Sequence, residues 1–202
     1  STTIFMIIDY STTYNTYFDT ISNFNITIQY ACPCCRAKHS MTRHGYYHRY
    51  LIVMGNAGLE EAELDILRLR CSSCGHTHAI LPGDIIPFSL YTFPAILWIV
   101  SEHIVNKKSI LSIAEDSHTS YQVIYRILKL LLTFFDRIVL LMRAKSLWQL
   151  SYSPSLIQLI KIIAALSYDA FLSSYFFYYQ KPFMLNRRST GSYILTFGSR
   201  NS

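Results

Sequence analysis

Residues 32–35 read Cys32-Pro33-Cys34-Cys35, and residues 71–75 read Cys71-Ser72-Ser73-Cys74-Gly75. All five cysteines of the chain fall between positions 32 and 74, and four of them make two Cys-x-x-Cys pairs, Cys32/Cys35 and Cys71/Cys74. Each pair is spaced to wrap a tight turn and aim two thiolates at one point. Two such turns complete a tetrahedral site with Zn–S bonds of about 2.3 Å. Gly75 stands where a positive φ closes the second turn, and Pro33 pre-sets φ in the first. A closed set of four thiolates leaves no position for water or substrate, so the expected cofactor is one structural Zn2+ that catalyses nothing. The alternatives are a disulfide framework, which the odd count and the composition disfavour, and redox-active thiols, which need one pair rather than two. Cys34 is the surplus thiol and reads as a bystander. Exchange with Cys35 is less natural, because only one residue separates Cys34 from Cys32. His39, His44, His48, His76 and His78 crowd the same region and are expected to face solvent or a phosphate backbone.

Outward from the cysteines, Gly45 to Met54 reads as a strand, and Gly55-Asn56-Ala57-Gly58 as the turn after it. Glu63 to Arg70 alternates polar and apolar residues at period two, which marks a strand with one wet face delivering Cys71. The segment between the ligand pairs is thus a hairpin, the body of a zinc ribbon over residues 31–87. Leu81-Pro82-Gly83-Asp84 and Ile86-Pro87 break regular structure and read as a linker. Upstream, residues 1–30 contain two strand-like runs, Ile4–Ile8 and Ile26–Tyr30, with no assignable role.

From Pro94 the apolar period becomes helical. One helix is expected from Pro94 to about Asn106, and a second runs from the N-cap Ser109 to about Asp116. A third follows the Ser117–Ser120 turn and extends to Met142 or Ala144. Residues 150–202 contain an apolar stretch, Ser155–Tyr179, and a basic tail. Lys161 and Asp169 interrupt the apolar stretch, which argues for packed helices over a membrane span. The fold class is therefore α+β: a small β zinc ribbon followed by an all-helical region, with the middle helices at residues 94–145.

Composition narrows the function. The chain is 51% hydrophobic and only 15% charged over 202 residues, which excludes disorder for most of it and supports a packed core. No charge-free run reaches the roughly 20 residues of a spanning helix, so no membrane partner is expected. The net charge of +6 is uneven. Residues 31–58 hold Arg36, Lys38, Arg43 and Arg49 with no acid, and the tail from Gln180 holds Lys181, Arg187, Arg188 and Arg200 with no acid. Two basic patches permit a polyanionic partner.

Ser109 to Leu128 matches the requirements of a helix-turn-helix. Ala114 is the small residue of the first helix, and Ile110, Ile113, Val123, Ile124 and Ile127 make a small core. His118 stands where Gly is common in the turn, one departure from the pattern. On this reading Ser120, Tyr121, Gln122, Tyr125 and Arg126 start a recognition helix that reaches base edges and phosphates of double-stranded DNA, with Gln suited to adenine and Arg to guanine. Lys107 and Lys108, with Arg43 and Arg49 of the ribbon, are the expected phosphate contacts. An ordinary three-helix packing without nucleic acid is the alternative.

The runs Cys32–Cys35, Arg43–Tyr50 and Leu67–Pro82 together resemble the transposase-associated zinc-ribbon proteins of Firmicutes, whose ribbon is followed by a helix-turn-helix. The resemblance covers residues 31–145. It implies zinc on Cys32, Cys35, Cys71 and Cys74 and recognition of transposon-end or other duplex DNA. Four cysteines read as metal ligands rather than disulfides point to a reducing, cytoplasmic compartment, and the expected localisation is cytoplasmic, bacterial and nucleoid-associated. A complete transposase needs three separated carboxylates holding two metal ions. Asp84, Asp136 and Asp169 are the isolated candidates, and each reads as a surface or capping carboxylate. The chain is accordingly expected to bind DNA as part or relative of a transposase, without enzymatic activity. The competing expectation is a zinc-dependent interaction module that homodimerises through its helical half and touches no DNA.

Overall fold

The computed structural model describes residues 6–23, 30–149, 151–185 and 193–195, the last by backbone only. The run expected as a strand at Ile26–Tyr30 lies, except for Tyr30, outside these residues, as do Arg187, Arg188 and Arg200 of the basic tail. The chain is mixed α+β, with a twisted sheet and a layer of helices.

The sheet is built around the long hairpin of β2 (Met41–Met54) and β3 (Leu59–Cys71), turned at Gly55–Gly58 by a Gly55 N–H donated to Gly58 O at 2.8 Å. Its register runs from Met41↔Cys71 to Met54↔Leu59, with one bulge between Arg43 and Gly45. β4 (Thr77–Pro82) folds back antiparallel on β3, a strand that the Pro and Gly near its end hide in the sequence. β1 (Met6–Asp9) then lies parallel to β4, and β5 (Tyr193–Leu195) parallel to β1, giving the order β2-β3-β4-β1-β5. All four residues of β1 are buried, as a strand with neighbours on both sides and layers on both faces should be.

α1 (Tyr17–Asn23) completes this sheet through one side chain. β3 and β4 pair only from Arg68↔Ala79 to Arg70↔Thr77. At the next step along the ladder the Tyr17 hydroxyl stands between the strands. It accepts the Leu67 N–H at 3.0 Å and donates to Ile80 O at 2.7 Å.

The helices follow as α2 (Phe93–Ile104), α3 (Ile110–Ser117), α4 (Tyr121–Thr133), α5 (Phe135–Ala144), α6 (Leu156–Ala165) and α7 (Tyr168–Tyr179). Pro94 sits in the first turn of α2, and the Ser109 hydroxyl caps α3 by accepting the Ser112 N–H at 3.1 Å, both as the sequence leads one to expect. The expected long third helix is instead two, broken at Phe134. No Gly or Pro marks the break. Phe134 is drawn into an aromatic cluster, 5.5 Å from the Phe183 ring and 6.2 Å from the Tyr175 ring. Packing of this kind overrides a continuous helical pattern. α6 begins with a capping box between Ser155 and Gln158 and turns 111° into α7. Among the described residues no single helix is long and apolar enough to cross a membrane. The bent pair α6 and α7 reaches that length and composition only together, and it buries Leu159, Ile160, Ile163, Phe171, Leu172, Tyr175 and Phe176 in the core shared with α2, α4 and α5.

The stretch expected as a linker is packed. Asp84, Ile85 and Ile86 are all buried, and Asp84 corrects the expectation of a surface or capping carboxylate. Its Oδ1 accepts the Tyr14 N–H at 2.9 Å, and burial pushes its pKa up to about 6 in spite of that bond. A carboxyl with a raised folded-state pKa binds more protons native than unfolded between the two values. Stability is therefore expected to fall as pH rises from about 4 to about 6, then to level off. Asp84→Asn keeps an acceptor for Tyr14 and removes the titration. Urea unfolding at pH 5 and 7.5 should show wild type losing about 1–2 kcal/mol relative to this variant over that interval. Parallel pH profiles for the two proteins would contradict the account.

Candidate metal centre

The two Cys-x-x-Cys turns share one backbone course. In the first, the Arg36 N–H donates to Cys32 O at 2.8 Å and the Cys32 N–H to Ala37 O at 2.9 Å. In the second, the Gly75 N–H donates to Cys71 O at 2.9 Å and the Cys71 N–H to His76 O at 2.9 Å. The fifth residue is left-handed in both, Arg36 at φ 60° and Gly75 at φ 75°. Glycine takes this conformation without cost, and arginine takes it only because the surrounding bonds hold it there. A bridge locks the turns face to face: the Ser72 N–H and hydroxyl both donate to Ser40 O, at 2.8 and 3.1 Å.

This brings Cys32, Cys35, Cys71 and Cys74 together, with all four sulfurs within 4.8 Å of one another. Cys32 Sγ lies 3.6 Å from Cys74 Sγ, and Cys35 Sγ lies 3.7 Å from Cys71 Sγ. Four sulfurs at 2.3 Å from a tetrahedral ion have edges of about 3.8 Å, so these spacings suit a metal. They are far beyond the 2.05 Å or so of a disulfide. Cys32 and Cys71 are buried while Cys35 is exposed, so the site sits at the rim of the sheet with half its ligands inside.

The surroundings divide the two buried thiols. Burial pushes Cys32 up to about 12. Burial also opposes ionisation of Cys71, but hydrogen bonds from Ser40, from the Cys74 and Ser73 amides and from Cys32 outweigh it and bring this thiol down to about 6. The Ser40 hydroxyl is 3.3 Å from Cys71 Sγ. Four sulfurs gathered within 4.8 Å of one another, two of them on buried residues, are arranged to hold a cation at their centre. The donor set is compatible with a closed structural zinc site.

One histidine corrects the expectation of solvent or phosphate contact, while His39, His44, His48 and His76 are exposed as expected. His78 is wholly buried, with Nε2 at 3.4 Å from Cys32 Sγ, where it can donate to the sulfur as an outer partner of the ligand. Period two along β4 carries the signal: His78 and Ile80 point inward while Thr77 and Ala79 are only half-buried. His48 is clamped between two acids, Nδ1 at 2.9 Å from Asp65 and Nε2 at 3.2 Å from Glu63. The Asp65 bond, with Glu63 adding to it, raises its pKa above the usual histidine range.

The residues expected to touch DNA are scattered in role. Ser120, Tyr121, Gln122, Tyr125 and Arg126 are exposed on one side of α4, while Ile124, Ile127, Leu128 and Leu131 are buried on the other. α3 reaches α4 through the short turn 118–120. In this turn His118 adopts the left-handed φ of 51°, its N–H bonding Glu115 O while the Thr119 N–H reaches Ala114 O. That is the Schellman arrangement, with His where Gly usually serves. Lys107 is exposed. Lys108 is engaged within the protein, 2.7 Å from Glu102 and 3.0 Å from Asp116, and ties the end of α2 to the end of α3. Arg49 donates to Ser89 O at 2.6 Å and Ile86 O at 3.2 Å, and Arg43 donates to Tyr46 Oη and Ile21 O.

Residues 32–123 match a family model described as a domain of unknown function (DUF6431). The match starts on the first cysteine ligand and ends inside α4, so it spans both turns, the hairpin, α2 and α3. No curated protein and no solved structure matches the chain.

Proposed function

We propose that the chain is a zinc-ribbon DNA-binding protein related to transposases. In this reading Cys32, Cys35, Cys71 and Cys74 hold one structural Zn2+, α3 and α4 act as a helix-turn-helix on transposon-end or other duplex DNA, and no catalysis takes place. The observation that carries it is the start of α4. A short turn delivers a helix whose outer face presents Tyr121, Gln122, Tyr125 and Arg126 to solvent while its inner face is locked into the core. Amide and guanidinium groups on a rigid exposed helix are what base-edge recognition in a major groove requires. Lys107 at the start of the unit supplies a phosphate contact, and Lys108 and Arg49 serve the fold. A cytoplasmic, nucleoid-associated protein follows from that activity.

Binding of a selected duplex, followed by fluorescence anisotropy against salt, tests the proposal. Arg126→Ala or Gln122→Ala is expected to weaken the selected site about 10- to 100-fold and to relax its sequence preference. Lys107→Ala should weaken all sequences alike and lower the salt slope by about 1. Affinity indifferent to salt and to all three changes would sink it.

A second reading rests on the apolar side chains left exposed on the helical half, among them Leu132, Leu140, Leu147 and Phe177. In this reading the half is a homodimer or partner interface held up by a zinc-stabilised sheet. Gel filtration with and without duplex separates the two: self-association with no shift on adding DNA favours the interface.

A further inference from the structure

Cys34 does not stand alone. Its sulfur lies 3.7 Å from His76 Nδ1 on the opposite turn. Cys34, Cys74 and His76 bring two sulfurs and one ring nitrogen within 4.8 Å of one another. An ion bound tetrahedrally at about 2.3 Å from sulfur and about 2.05 Å from nitrogen sets those two atoms about 3.6 Å apart, and the contact fits that edge. The juxtaposition follows from the matched turns. The Ser72–Ser40 bridge holds the two turns together, and Cys34 of the first meets His76 just beyond the second. Cys34 and Cys74 are half-buried and His76 is exposed, so this group opens outward, whereas the four-cysteine group has two buried members.

We propose that Cys34, Cys74 and His76 form a second metal site for a thiophilic divalent ion, Zn2+ or Cd2+, with Cys74 bridging the two centres. Two thiolates and an imidazole select such ions over Mg2+ or Ca2+, which prefer oxygen. The proton balance is simple. Cys34 releases one proton on binding, His76 offers neutral Nδ1, and Cys74, already a thiolate in the first centre, lends a second lone pair. Three protein ligands leave the fourth position to solvent, as in sites that exchange their ion or a ligand, so this ion is held more weakly than the first. The proposal rests on the four-cysteine centre holding zinc, because Cys74 belongs to both.

The test is metal uptake by the full chain, counted by native mass spectrometry during titration with Zn2+ and then with Cd2+. Wild type is expected to take up about two ions per chain in excess metal and to keep about one after exposure to a weak chelator. Cys34→Ser and His76→Ala, at positions outside the first centre, should each stop uptake at one ion and leave that ion as resistant to chelator as in wild type. Saturation of wild type at one ion overturns the second site and leaves the first intact, as does uptake of two ions by both variants. A wild type that keeps no ion against the weak chelator removes the four-cysteine centre and the second site with it.

Discussion

Cys71→Ser is expected to abolish tight zinc binding and to unfold the hairpin rim in the same step. Cys71 is the last residue of β3 and fully buried, and its sulfur touches Cys35 and lies beside the Ser40 hydroxyl. Structural zinc contributes about 10–16 kcal/mol of apparent binding free energy in small zinc domains, comparable to the roughly 5–15 kcal/mol stability of a whole domain. Between residues 30 and 41 the chain has no strand or helix, and its course is held by the first turn and by the Ser40–Ser72 bridge. Loss of the ion should therefore be read as a fall in tightly held zinc from about one per chain to none, lost sheet signal in circular dichroism, and new protease cleavage between the cysteine pairs. Cys35→Ser separates metal loss from core damage, because Cys35 is exposed and its replacement leaves no internal gap. Chelation of wild type should reproduce both variants. A folded, protease-resistant Cys71→Ser protein whose parent also carries no metal would refute the centre.

The second large effect is expected from a residue that binds nothing. Tyr17→Phe removes one oxygen and leaves the ring in place, so no large cavity forms. It strips the partner from both the Leu67 N–H and the Ile80 C=O, at residues 0% and 1% exposed. Each orphaned buried group costs about 1–3 kcal/mol, so the loss for the two should be about 2–6 kcal/mol in denaturant unfolding. Tyr50→Phe, on an exposed ring of β2, should change stability by less than about 0.5 kcal/mol. Hydrogen exchange supplies the local readout, since the Leu67 amide should lose protection before its β3 neighbours. Zinc content should stay unchanged. A Tyr17→Phe protein as stable as its parent would mean that the hydroxyl is not the joint between α1 and the sheet.

What could be read along the chain was whatever depends on neighbours in sequence. Spacing of two in each cysteine pair, period two over Glu63–Arg70, the Gly55–Gly58 turn, Ser109 as a cap and Pro94 in a first turn are all local devices, and each appears where it was expected. The α4 face follows from the same logic, because a period of 3.6 places Ile124, Ile127 and Leu131 together and Tyr121, Gln122 and Tyr125 away from them.

The missed features depend on residues far apart in the chain. Asp84 reads as a capping carboxylate until Tyr14, 70 positions earlier, donates to it inside the core. Arg49 reads as a phosphate contact until the carbonyls of Ile86 and Ser89, some forty positions on, engage it; Lys108 is the exception, held by the nearer Glu102 and Asp116. Phe134 reads as mid-helix until Phe183 and Tyr175 draw it inward. β1 pairs parallel with β4 across about seventy residues, and parallel pairing leaves no hairpin signal to read.

The five cysteines, their two pairs and the hairpin between them were determined by the sequence alone, because metal-ligand spacing and strand period are properties of short segments. Which side chains surround that centre was decided only by the tertiary structure. His78 comes to Cys32, Ser40 to Cys71 and His76 to Cys34 because the two turns are pressed together by hydrogen bonds between residues some thirty positions apart, a closure that no local pattern encodes.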